Sequence, residues 1–252
     1  LGLLLGVAAW WATPRLARRA IRRSRRQRTR TARRDWRSGR ALALFDVAVA
    51  VGFVVADYFE IVPFSSTPFF LALGWISLRL RGRRYRDVGL ARPKSWPRAL
   101  AIGAVAGILL ELVSTFVTVP LLSRLAGQPP DLSDFQPLVG NLSLVLIFLA
   151  PLWLGSCAEE VAYRGYLVNR FADLAGRPSW AWVPAVILVG ALFGWSHGGQ
   201  GITGMVQEGF AGLVLGLLYL ASGRNLIVPS VAHAAANTLA FVLIYLDRYP
   251  GI

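Results

Sequence analysis

The sequence predicts an all-α protein, a polytopic bundle of about seven or eight transmembrane helices. Three observations lead there. Of its 252 residues 55% are hydrophobic and 16% charged, too few charges to surround so large an apolar interior in water. Runs such as Ala99 to Leu122, Leu142 to Leu154 and Leu226 to Leu246 approach the roughly 20 apolar residues that cross a ~30 Å hydrocarbon layer. The formal charge of +14 is concentrated in two stretches: Arg15 to Arg40, with 13 arginines and one acid, and Arg79 to Arg98, with seven arginines, Lys94 and Asp87. Basic clusters beside apolar spans mark cytoplasmic loops.

Taken in order, Leu1 to Trp11 reads as a short or truncated first span, because its charged stretch follows the apolar run where a signal peptide would carry it in front. Arg15 to Arg40 is expected to bind anionic lipid. Nucleic acid is excluded as a partner, since neither basic cluster is interleaved with several aromatics or followed by a recognition fold. With both basic loops cytoplasmic, the chain from Ala41 to Leu78 crosses twice and turns near Pro63 to Pro68. Ala99 to Leu122 then leads out to a loop, Gly127 to Pro137, that carries Asp131 and Asp134 but no basic residue. A long helix returns from about Val139 to Leu174, before the Gly176-Arg177-Pro178 breaker. Trp180 and Trp182 mark the interface, the next span runs out to His197, Gly198 to Gly201 turns the chain, and Ile202 to Ala221 comes back. A turn at Ser222 to Asn225 starts the last span, Leu226 to Leu246. The organisation is thus an amino-terminal region, 1–98, followed by a helical bundle, 99–252. The single cysteine, Cys157, excludes an internal disulfide and reads as a small core residue.

Ionisable groups inside apolar helices are expensive, so each calls for pairing, water or function. Glu160 and Arg164 stand four residues apart, on one helix face, where they can neutralise each other. Glu159 lies about 100° further round and is free to face a cavity. His197 and His233 are the two histidines of the chain, and both follow the two-glutamate helix. Counting ~1.5 Å per residue from each cytoplasmic turn puts Glu159 roughly 22 Å deep, His197 roughly 25 Å, and His233 and Asn237 roughly 12 and 18 Å, levels that overlap with tilt. His233 and Asn237 are again four apart, separated by three alanines that permit close approach. Two chemistries fit this set. A carboxylate with a histidine can take a proton from water while paired donors stabilise an oxyanion. Alternatively, Glu159, His197 and His233 can hold a zinc ion with an open water position. Glu111 and Glu208 also lie in apolar spans, as pocket residues or helix-locking groups, and Asp46 reads as reaching the headgroups. Gly190 with Gly194 and Gly212 with Gly216 read as close helix packing.

The sequences Glu159-Glu160-x-x-x-Arg164, Phe193-x-x-x-His197 and His233-x-x-x-Asn237 resemble, in order and separation, the three motifs of the CPBP family. That group comprises the type II CAAX prenyl endopeptidases and the bacterial Abi-type intramembrane proteases. The resemblance covers about Leu138 to Leu246. It implies that Glu159 activates water with help from His197, that His233 and Asn237 bind the oxyanion, and that Glu160, Arg164 and Phe193 support them. The implied substrate is a membrane-associated protein or peptide, CAAX-type processing included, and the implied location is the bacterial cytoplasmic membrane. The reading from a different class is a non-catalytic membrane scaffold or bacteriocin-immunity-type binding protein. A transporter is disfavoured by the lack of an inverted repeat and of paired broken helices.

Overall fold

A computed structural model of the protein describes residues 39–59, 61 and 66–252. Contacts divide the chain into Leu1–Leu42 and a compact unit Ala43–Ile252. The expectations for Leu1 to Trp11, for nearly all of Arg15 to Arg40, and for the first half of the turn at Pro63 to Pro68 lie outside the described residues. The described residues are helical and contain no strand. Among the described residues, five helices are long and apolar enough to cross a membrane: α1 (Gly39–Tyr58), α3 (Trp96–Ala126), α4 (Leu142–Leu174), α6 (Gly198–Ala221) and α7 (Ile227–Tyr245). Two shorter apolar helices, α2 (Thr67–Leu80) and α5 (Ser179–Trp195), stand beside them.

The helices begin and end where local chemistry directs. Proline occupies the first turn of both α2 and α3, where its missing N–H has no partner to lose. The Asn141 side chain caps α4 by accepting from the Leu144 N–H at 3.2 Å. Gly127, at φ 75°, closes α3 in the left-handed region that side chains resist. Because α3 starts at Trp96 and ends at Ala126, it extends beyond the apolar run at both ends. Its apolar residues Val105, Leu109 and Phe116 face outward, as do Leu146, Ile147 and Leu154 of α4. That is the distribution of a protein whose solvent is lipid.

Helix pairs are brought together by small residues. A Cβ on Gly107 of α3 would lie 2.0 Å from the Ala232 carbonyl oxygen of α7, and one on Gly194 of α5 would lie 2.3 Å from that of Met205 in α6. Between them, Phe70, Tyr163, Tyr166, Val189, Phe193 and Tyr219 fill the main core. Asp46 does not extend to the headgroups. It is 1% exposed and accepts from Ser77 Oγ at 2.6 Å and Arg81 Nη1 at 2.9 Å. Two partners four residues apart, one on α2 and one at its C-terminal cap, offset the cost of burying its charge.

The loops gather at two ends of the bundle. At one end the Leu226 N–H donates to the Gly89 carbonyl, Asn225 Nδ2 to the Ala91 carbonyl, and both Arg177 and Arg224 stack on Trp182. At the other end Asp131 N–H donates to the Gln200 carbonyl, Thr203 Oγ1 to the Gln128 carbonyl, and Gly140 N–H to the Tyr245 carbonyl. The candidate site lies toward this second end.

Candidate active site

The site is organised around the middle of α4. A π turn, Val161–Leu167, follows Glu160 directly. Such a turn offsets the helical register by one residue and recurs at functional sites. Glu160, just before it, and Arg164, within it, are fully buried and pair at 2.7 Å. The guanidinium then ties in two neighbouring helices, with Nη2 donating to the Gly212 carbonyl of α6 at 2.9 Å and the Cζ 4.7 Å from the Phe193 ring centroid of α5. From α7, His233 Nδ1 donates to the same Glu160 oxygen at 2.9 Å. The expected pairing of Glu160 with Arg164 is therefore present, and it also holds the imidazole. Phe193 completes this wall, its ring packing against Tyr163, His197 and His233.

Glu159 faces the other way, into a cavity of about 330 Å³ that His197, His233 and Asn237 also line. The carboxylate is 26% exposed, with Oε2 3.7 Å from His233 Nε2. The imidazole of His233 thus stands between two carboxylates, one on each ring nitrogen. His197, just beyond α5, has Nδ1 2.8 Å from the Phe193 carbonyl. A carbonyl can only accept, so Nδ1 carries the hydrogen and the neutral ring keeps its lone pair on Nε2. Asn237 Nδ2 donates to Ser156 Oγ at 3.1 Å, one turn before Glu160. All four sequence-derived candidates therefore share one cavity. Glu160, Arg164 and Phe193 stand behind it.

Other residues of the site escaped the sequence reading. Ser156 orients Asn237, while Tyr163 donates to Ser196 Oγ at 3.0 Å, which in turn donates to the Phe193 carbonyl that His197 uses. Their signal was spacing: Tyr163 follows Glu159 by four residues and Ser196 adjoins His197. Glu111 and Glu208, named from the sequence as pocket residues or helix-locking groups, line the same cavity, together with Gln207 and Tyr249, which the sequence did not mark. Glu111 precedes a second π turn, Ser114–Thr118, and accepts from Thr115 Oγ1 at 3.0 Å. Gln207 Nε2 donates to Ser114 Oγ at 2.5 Å, and Thr118 donates to the Gln207 carbonyl oxygen.

The proposed zinc ligands Glu159, His197 and His233 line one cavity, but among the described residues no three His, Cys, Asp or Glu side chains are close enough together to hold an ion. The donor set as arranged does not fit a three-ligand zinc site.

No curated protein and no solved structure matches the chain. A family model, described as type II CAAX prenyl endopeptidase Rce1-like, matches residues 141–239. That stretch runs from the cap of α4 to just past Asn237 and contains every residue of the three motifs. Its several apolar helices and this protease family make the chain an integral membrane protein. Over residues 141–239, the part that carries the candidate site, the chain is similar to the type II CAAX prenyl endopeptidase Rce1-like family.

Proposed function

We propose that the protein is an intramembrane endopeptidase of a bacterial cytoplasmic membrane, crossing it seven or eight times and hydrolysing a peptide bond of a membrane-associated protein or peptide. CAAX-type processing is the substrate class that the matched family's description carries. The observation that supports the reading best is the shared cavity of Glu159, His197, His233 and Asn237, backed by a buried Glu160–Arg164 pair.

In the mechanism, a water between Glu159 and His197 gives its proton to the Glu159 carboxylate as its oxygen attacks the scissile carbonyl carbon. The C–O bond forms and the carbonyl π pair moves to oxygen. His233, as the imidazolium, donates from Nδ1 to Glu160 and from Nε2 to the developing oxyanion, and the Asn237 carboxamide adds a second donor. The C–N bond then breaks, and the proton held by Glu159 passes to the departing amine with His197 as relay. Glu160 and Arg164 act through His233, holding its ring. The activating group is thus a carboxylate, in keeping with a donor set that does not converge on zinc.

The test is cleavage of a peptide library by purified protein, wild type against Glu159→Gln and Asn237→Ala, with and without chelator. Removing the base is expected to lower the rate by roughly 10² to 10⁴-fold, and removing the oxyanion donor by roughly 10² to 10³-fold. Chelator should change neither. A folded Glu159→Gln protein that cleaves at the wild-type rate would overturn Glu159 as the base, whereas retained biological function of that variant in a complementation test would favour the membrane scaffold.

A further inference from the structure

The two ends of the bundle differ sharply in charge. The segment 81–95 carries Arg81, Arg83, Arg84, Arg86, Arg92 and Lys94 against Asp87 alone. Arg177 and Arg224 join the same end, stacked on Trp182 beside it. The opposite end has Arg124 and Arg248 among its described residues, offset by Asp131, Asp134 and Asp247. Lysine and arginine in short loops set membrane orientation, whereas acidic residues contribute little. The basic end is therefore cytoplasmic.

The cavity belongs to the other end. Pro130, Leu132 and Phe135 from the loop between α3 and α4 line it, with Gln200 from the turn after His197 and Tyr249 from beyond α7. No described residue of the basic end lines it. Hydrogen bonds between Asp131 and Gln200 and between Thr203 and Gln128 hold these elements together. Resting on the endopeptidase reading, we infer that the cavity opens to the extracytoplasmic side of the membrane and takes a membrane-protein segment presented there, not a tail lying in the cytoplasm. A water-dependent hydrolysis needs an aqueous route to the Glu159 level, and the loop-lined end supplies it. The opposite end is closed at the same level by the buried Glu160–Arg164 pair and the aromatic core.

The test is thiol labelling of the full chain in intact cells, in a Cys157→Ala background. Gln136→Cys and Gly199→Cys report the cavity end. Both positions are exposed, and a Cβ at Gly199 meets nothing within 4 Å. Lys94→Cys and Ser95→Cys report the basic end. A membrane-impermeant maleimide should label the first pair directly and the second pair only after permeabilisation. The reverse pattern overturns the inference and leaves the peptidase reading intact. A second arm fuses one cleavable segment to either side of a membrane anchor. Cleavage of the outward fusion, lost in Glu159→Gln, is expected. Cleavage of the cytoplasmic fusion alone again overturns the inference. Outward labelling with neither fusion cut supports the orientation and counts against the peptidase.

Discussion

Arg164 is the residue on which the wall of the cavity depends. It is 1% exposed, and its guanidinium serves Glu160, the Gly212 carbonyl and the Phe193 face together. Removing one member of a buried ion pair strands the other charge, a loss of roughly 3 to 5 kcal/mol. Arg164→Ala is therefore expected to lower the thermal midpoint markedly in detergent, and Arg164→Lys to rescue it only in part, because an ammonium cannot serve three partners in one plane. Melting curves of the two variants check this, and equal midpoints for Ala and wild type would sink it. Spacing made the Glu160–Arg164 pair legible, because four residues on a helix always share a face. The same spacing left His233's partner open. Which carboxylate an imidazole on another helix chooses depends on helix rotation, and the sequence holds no record of rotation. The chain of Tyr163, Ser196 and the Phe193 carbonyl that fixes His197 was hidden for the same reason.

Among the elements, α3 and α7 make the closest approach. At Gly103 an added Cβ would lie 2.8 Å from the Val228 carbonyl oxygen and at Gly107 2.0 Å from that of Ala232. Neither backbone can yield without separating the helices. Gly107→Ala should destabilise by roughly 1 to 3 kcal/mol through overpacking and reduce activity by displacing His233, one residue beyond Ala232. Gly52→Ala in α1, where nothing lies within 4 Å, should be neutral or slightly stabilising. The pair of melting temperatures decides the matter. The sequence reading finds Gly190 with Gly194 and Gly212 with Gly216; across α5 and α6 Gly212 meets Gly190, Gly194 meets Gly209, and Gly216 meets Val186. Gly103 and Gly107 have the same spacing but sit in a helix that is apolar on every side, where hydropathy marks a span without marking its packed face. Uniform apolarity also conceals the π turns of α3 and α4, since a shift of one residue leaves no trace in a pattern without period. Of the seven or eight spans that the sequence predicts, five are helices long and apolar enough to cross among the described residues. The short α2 and α5, expected as crossings from loop charge and the tryptophans at the interface, fall below that length.

At the scale of the bundle, the described basic residues gather at one end and carboxyl groups line the cavity near the other. Glu111, Glu159 and Glu208 all border it, and no lysine or arginine does. Tyr249, at the cavity edge, registers this field: burial first, and then Glu111 and Glu208, push its phenol above the ordinary tyrosine range. A peptide entering with a free C-terminal carboxylate adds a like charge to that field. At about 8 Å and an effective dielectric of 20, one such encounter costs about 2 kcal/mol, roughly thirtyfold in binding, and burial weakens the screening that salt would provide. The cavity should therefore prefer an internal segment, or a blocked terminus, to a free tail. Paired peptides identical except for a C-terminal amide or carboxylate make this measurable. The amide is expected to have a kcat/KM higher by roughly tenfold or more, carried mostly by KM. Glu208→Gln should narrow the gap, because it removes one charge from the wall while leaving Glu159, His197, His233 and Asn237 in place. Equal kcat/KM for the two peptides in the wild type would show that the carboxylates of the wall do not govern entry.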